Sequence, residues 1–270
     1  MPSSRLSPTN GRGVWDQTAR VANWLWERGW AEANAGNLSV RVTQGVGSRR
    51  FRAQEELALR ASYPHLAEEV FLVTATRQRM RDVAESPHEH SCLIKIDKRG
   101  RGYALAGAGA TGGLRPTSEL LSHLALHNEL VGNKRPEQSI IHTHPSELVA
   151  LSLHPTLRDE AQLNDLLWRL HPEVVVLVPR GMGVVPYVCP GTQALAEATV
   201  AKLKHHDVVL WEKHGVVAIG RDLFEAFDRI DTINKAARIA LLCLHAGFEP
   251  HRLTHAQIRD LRQAFSARVG

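Results

Sequence analysis

The sequence predicts one layered α/β domain. Strands and helices are interspersed along its whole length, which is the pattern of a sheet covered by helices. No internal repeat and no long low-complexity linker divides it. Its 270 residues are long for one small domain and short for two full ones.

The elements follow in order. Residues 1–13 are rich in Ser, Pro and Gly and are expected to fray, leaving 14–270 as the domain. Val14–Trp30 reads as an amphipathic helix, with Val14, Thr18, Val21, Leu25 and Trp26 near the helical period and Gly29 as its C-cap. Asn34-Ala35-Gly36-Asn37 is a turn tetrad that leads into a strand over Leu38–Val42. Val70–Thr74, Leu93–Ile96 and Gly102–Leu105 also read as strands. The Gly/Ala/Thr-rich stretch 107–113 must be a loop, and Pro116 precedes a helix from Ser118 to Leu130. Ser139–Thr143 is a strand, followed by helical stretches at Ser146–Leu153 and Arg158–Leu170. Val174–Val178 and Val184–Val188 are read as strands about the turn Arg180-Gly181-Met182-Gly183. Thr192–His205 is helical, and the strands Val208–Trp211 and Val216–Ile219 flank Lys213-His214-Gly215. A long amphipathic helix over Leu223–His245 and a last one over Thr254–Phe265 complete the chain.

Bulk properties exclude several function classes. Hydrophobic residues make up 43% and charged residues 23%, the balance of an ordinary globular protein. The net charge of +5 mildly favours anionic small molecules such as sugar phosphates. The Lys and Arg residues are scattered and form no stripe, so no nucleic-acid partner is expected. Arg77, Arg79 and Arg81 alternate, and a solvated face is favoured for them over an anion contact. Cys92, Cys189 and Cys243 are far apart and odd in number, so neither a disulfide framework nor a cysteine zinc site follows. There is no signal-peptide core and no membrane-length apolar run, which predicts a cytoplasmic protein with no membrane partner.

The chemistry starts at Ile141-His142-Thr143-His144-Pro145. Alternate residues of a strand share a face, so His142 and His144 offer half of a divalent-metal site. With 15 histidines in the chain, chance alone yields about 0.8 His-x-His pairs, so context must decide. His214 is the best third ligand, set between two hydrophobic strands with Gly215 relaxing the turn behind it; a solvated turn histidine is the alternative. Pro116-Thr117-Ser118-Glu119 marks a helix start whose free N–H groups and hydroxyls suit a phosphate. Glu119 in that first turn could carry a proton, or could simply compensate the helix dipole. Asn34-Ala35-Gly36-Asn37 could curl its N–H groups into an anion-binding nest, or be a plain Asx turn.

Taken together these pieces resemble the class II aldolase/adducin family. The matching stretches are Asn34-Ala35-Gly36-Asn37-Leu38, Pro116-Thr117-Ser118-Glu119-Leu120, His142-Thr143-His144, Gly181-Met182-Gly183-Val184-Val185-Pro186 with Pro190-Gly191-Thr192, and His214-Gly215-Val216. Their order is also that of the family. Glu173 and the later glycine and proline stretch point to its rhamnulose-phosphate branch and away from the shorter fuculose-phosphate branch. The resemblance implies a three-layer α-β-α domain about a central mixed, largely antiparallel sheet. It implies one divalent ion per subunit, most simply Zn2+, held by His142, His144 and His214 with Glu119 as a resting-state ligand that later moves a proton. Glu173 matches a second carboxylate that enters a neighbouring subunit's site in a homotetramer. Asn34, Gly36, Asn37, Thr117, Ser118 and Thr76 match phosphate and substrate-oxygen contacts. After Thr76 the relatives usually carry a glycine and a lysine, whereas this chain has Arg77-Gln78-Arg79.

The activity so implied is retro-aldol cleavage of a ketose 1-phosphate, L-rhamnulose 1-phosphate, to dihydroxyacetone phosphate and L-lactaldehyde. The alternative is another metal-dependent sugar-phosphate enzyme on the same scaffold: a fuculose-phosphate-type aldolase, epimerase, dehydratase or decarboxylase. Other motifs are set aside. Gly107-Ala108-Gly109-Ala110-Thr111-Gly112 spells a dinucleotide fingerprint, but four residues separate it from the next helix. His88-Glu89-His90 has no hydrophobic strand to aim it and is read as a mobile loop. His123 and His127 lie four apart on one helix face and are read as a buried or interface pair.

Overall fold

In the computed structural model, residues 11–42, 55–106 and 113–266 are described. Their elements in chain order are α1 (Gly11–Glu27), β1 (Asn37–Arg41), β2 (Glu55–Ala58), β3 (Val70–Thr74), α2 (Met80–Glu85), β4 (Ser91–Ile96), β5 (Gly102–Ala106), α3 (Leu120–Gly132) and β6 (Ser139–Thr143). Then come α4 (Ser146–Ser152), α5 (Glu160–Leu170), α6 (Pro172–Leu177), β7 (Met182–Val185), α7 (Gln193–Leu203), β8 (Val208–Trp211), β9 (Gly215–Gly220), α8 (Leu223–His245) and α9 (His255–Ser266). All the strands join one sheet in the order β2-β5-β4-β3-β1-β6-β9-β8-β7. Every neighbouring pair is antiparallel except β7–β8, so the sheet is mixed and largely antiparallel, as the resemblance implied.

Period-two alternation divides the core into two layers. On β9, Val216 and Ala218 join one cluster while Val217 and Ile219 join another. On β3, Val70 and Leu72 face the first cluster while Phe71 and Val73 face away from it. The first cluster gathers buried residues of α1, α2, α4, α5, α6 and α8. The opposite face is covered by α3 through Leu124, Leu126 and Leu130, and by α7 through Leu195 and Leu203. A sheet hydrophobic on both faces thus receives helices on both, giving three layers. No helix among the described residues is long and apolar enough to cross a membrane.

One element differs in kind from the sequence reading. Val174–Val178, expected as a strand, lies instead in helix α6 and its C-cap. Pro172 sits at the helix start, where its missing N–H is no loss. Val174 and Val178, four apart, both enter the first core cluster while Leu177 faces solvent, so the exposure pattern is helical. A run of consecutive valines carries no alternation that could have distinguished the two. Strand β7 ends at Val185, short of the expected Val188, as the chain reaches Pro186. Strand β2 and the short helix α2 were not anticipated. The glycine-rich 107–112 segment and residues 1–10 lie outside the described residues; residues 11–13, expected to fray, begin α1.

Candidate active site

The site is built at the centre of the sheet, where β1, β6 and β9 lie side by side. Register places Asn37 opposite His142 on one flank, and Val217 opposite His142 on the other. The His142 ring is buried and packs on Trp211 with centroids 4.5 Å apart. Its Nδ1 donates to the Val216 carbonyl at 3.1 Å, which leaves the Nε2 lone pair free in a neutral ring. His144 lies just past the end of β6. Its Nδ1 meets Glu32 Oε1 at 2.8 Å, a carboxylate partner that likewise fixes the bare nitrogen as Nε2. The two Nε2 atoms stand 3.1 Å apart.

Two lone pairs facing each other repel unless a cation lies between them. Tetrahedral zinc with nitrogens at 2.0–2.1 Å would hold them roughly 3.3 Å apart, so the spacing fits such an ion. His214 completes the group: one nitrogen from each of the three rings lies within 4.8 Å of the others. Lys213, with φ +65°, turns the chain so that His214 points inward. His214 Nδ1 is buried and has no hydrogen-bond partner among the described residues. Burial pushes the His142 pKa well below its ordinary value, with the charges of His144 and His214 adding to the effect. His214 is also lowered, mainly by burial. Neutral imidazoles are the form that binds a metal.

Gly215 has a role other than the one expected. A Cβ there would sit 2.5 Å from the Thr143 carbonyl oxygen and 2.6 Å from His144 Cδ2. The residue is small because β9 and the end of β6 approach closely, not because the turn needs a special dihedral.

Glu119 faces the histidines from the other side. Its carboxylate is 3.5 Å from His142 Nε2 and 3.8 Å from His214 Nε2. It occupies the N-cap of α3 rather than the first turn, and its side chain makes no cap. It therefore points to the site instead of its own helix. Asn37 Nδ2 donates to Glu119 Oε2 at 3.1 Å. The segments around Ala75 and Pro116 form a short antiparallel bridge, with Thr76 N donating to Arg115 O at 2.8 Å and Thr117 N to Thr74 O at 3.0 Å. That bridge brings Thr76, Thr117 and Ser118 to the same pocket as the Asn34–Asn37 turn. Its volume is about 160 Å³, and it is lined by Asn34, Gly36, Asn37, Thr76, Thr117, Ser118, Glu119, His142, His144 and His214, together with Ala35, Ala75 and Arg77.

This gathering of separate motifs into one pocket agrees with comparison to known proteins. Residues 16–241 match the family model described as Class II Aldolase and Adducin N-terminal domain. The chain belongs to the class II aldolase and adducin family. It is 38% identical to the rhamnulose-1-phosphate aldolase of Bacteroides thetaiotaomicron, over 93% of this chain and 93% of that protein. The rhamnulose-1-phosphate aldolase of Listeria welshimeri is 35% identical over 82% of this chain and 80% of its own length. Among solved structures, a sugar-phosphate aldolase from Thermotoga maritima superposes with a TM-score of 0.79 at 35% identity, covering 88% of this chain and 98% of that one. An L-fuculose 1-phosphate aldolase shares the fold at a TM-score of 0.62 and 18% identity, with 97% of this chain and 100% of that chain covered.

Within this class II aldolase scaffold, Glu173 stands apart from the other expected residues. It lies on the first turn of α6, exposed, with its carboxylate on His171 Nδ1 at 2.5 Å, and it does not line the pocket. Glu32 escapes a reading of the sequence, and Arg77 is only half read from it. Glu32 orients His144, and its only signal is its position two residues before the Asn34 turn. Arg77 is exposed, as expected of a solvated residue, and at the same time lines the pocket from a left-handed backbone at φ +63°. It is the one arginine or lysine among the pocket's lining residues. The His88–His90 stretch is a turn away from the pocket, in which His88 packs on Trp15 at 3.9 Å and His90 Nδ1 meets Gln78 Oε1 at 2.6 Å.

Proposed function

We propose that this chain is a zinc-dependent aldolase that cleaves L-rhamnulose 1-phosphate to dihydroxyacetone phosphate and L-lactaldehyde. The observation that carries this reading is the convergence of three imidazoles on one point, with the Glu119 carboxylate opposite and hydroxyl and amide groups around them. His142, His144 and His214 would hold the ion. When bound, zinc supplies a Lewis acid that stabilises negative charge on the substrate's carbonyl and hydroxyl oxygens. No lysine Schiff base is then needed.

The chain's own residues do the rest. Thr117 and Ser118, just before α3, offer their hydroxyls and Ser118 its N–H to the phosphate, and Asn34, Gly36 and Thr76 line the same pocket. Arg77 supplies the fixed positive charge that a phosphate dianion requires there. As the carbon–carbon bond breaks, its electron pair stays with the ketose-phosphate fragment. Glu119, a carboxylate at rest, takes up a proton from solvent and delivers it to the carbon of this fragment. Glu173, exposed and away from its own pocket, takes the hydroxyl proton from the aldehyde side in a neighbouring subunit's site. That assignment makes the working unit a homo-oligomer, a tetramer by family resemblance. Cys92, Cys189 and Cys243 are all unpaired, which supports the reducing cytoplasm as its location.

The test is direct. Purified protein loaded with zinc should release dihydroxyacetone phosphate from L-rhamnulose 1-phosphate, and a chelator should stop it. A metal-loaded protein that leaves the ketose phosphate intact defeats the reading in favour of another reaction on this scaffold.

A further inference from the structure

We propose that Ser39, His123 and His127 are positioning residues for Glu119, joined through Asn37 into a one-way chain of hydrogen bonds that holds the carboxylate against the three histidines. The inference rests on the reading of Glu119 as the proton carrier.

The chain runs from helix α3 through strand β1 to the site. His127 Nε2 is 2.8 Å from Ser39 Oγ, and Ser39 Oγ is 2.7 Å from His123 Nδ1. His123 Nε2 is 2.5 Å from Asn37 Oδ1, and Asn37 Nδ2 is 3.1 Å from Glu119 Oε2. All five side chains are buried, at most 8% exposed. The direction of every bond follows from its end. A carboxylate only accepts, so Asn37 must turn its NH₂ toward Glu119 and its oxygen toward His123. His123 must then carry its proton on Nε2, and its bare Nδ1 accepts from the Ser39 hydroxyl. The Ser39 oxygen in turn accepts from His127 Nε2. Burial favours the neutral form of both rings, moving His123 down to about 4 and His127 well below its ordinary value. Each ring therefore has a single N–H, and its tautomer decides the polarity of the chain.

A merely structural pair would pack as well with leucine at both positions. Burying this many polar groups is costly unless each is satisfied, and here each bond makes the next one possible. The useful output is at the end: an Asn37 amide that cannot rotate. If it did, its oxygen would face the Glu119 oxygens and push the carboxylate off the site.

The experiment uses the zinc-loaded protein and three variants, Ser39→Ala, His123→Leu and His123→Gln. Ser39→Ala and His123→Leu should lower kcat roughly 10- to 100-fold with KM and zinc content little changed. His123→Gln, whose amide can still donate to Asn37, should recover most of the loss. Independently of activity, nitrogen-15 spectra of histidine-labelled protein should show His123 and His127 both as Nε2–H tautomers. His123 protonated on Nδ1 overturns the proposal, as does a folded Ser39→Ala with unchanged kcat. If the variants fail to fold, the tautomers of the unaltered protein still decide. Absence of turnover by the unaltered protein would defeat the proposed reaction alone, and the two tautomers would then support or overturn the hydrogen-bond chain by themselves.

Discussion

His144 and Glu32 divide one task between them. The imidazole offers a lone pair, and the carboxylate 2.8 Å from its other nitrogen keeps that lone pair aimed. The two substitutions should therefore separate. His144→Ala should abolish bound metal and turnover together. Glu32→Ala should keep the ion but weaken its affinity roughly 10- to 100-fold, as read by titration against a competing chelator. Metal retained at full occupancy by His144→Ala would show that the ligand assignment is wrong. The three histidines and Glu119 are legible because strand alternation, helix-start chemistry and motif order each leave a mark in sequence. Glu32 leaves none: its exposed side chain sits in a turn, and only the folding of β6 against that turn gives it a partner 112 positions away. Arg77 is only half legible for a related reason. An alternating run of arginines reads as solvated, and Arg77 is indeed exposed; only the fold shows that its left-handed backbone stands at the rim of the pocket.

Helix α3 couples the site to stability, because its inner face carries His123 without charge. An unfolded chain binds a proton at this side chain near pH 6.5, whereas burial lowers the folded value to about 4. Above pH 6.5 both states are neutral and the group contributes no pH dependence. As pH falls from 6.5 toward 4 the unfolded state alone takes up the proton, and about 3 kcal/mol of stability is lost. His127 is shifted in the same direction and adds to the loss. Urea midpoints should therefore fall steeply below pH 6.5, and His123→Gln should flatten that slope by about one proton. An equal slope in both proteins would rule out a neutral, buried His123. The other elements show where sequence patterns end. The long helix α8 matches its expected bounds, since an amphipathic stripe of that length has one interpretation. Strand β2 escapes because Glu55, Glu56 and Ala58 are poor strand formers; pairing with β5 alone makes them extended. Helix α2 is six residues long and carries too short a pattern, with Met80 and Val83 its buried pair.

For the whole molecule, the position of Glu173 makes a subunit mixture informative. Separate preparations of His144→Ala and Glu173→Ala should each be nearly inactive. Co-assembled, they should regain activity, because some pockets would pair an intact histidine set with an intact partner carboxylate. Hybrids no more active than their parents would remove Glu173 from a neighbouring site. Layering and sheet order also bear on the three histidines themselves. His142 and His144 lie on and just past β6, and His214 immediately precedes β9, its neighbour at the middle of the sheet. The gap between such strands is about 4.8 Å and is set by main-chain hydrogen bonds on both sides. The spacing of the three imidazoles is thus written into the backbone lattice, and any ion they would hold must fit a frame that the main chain draws.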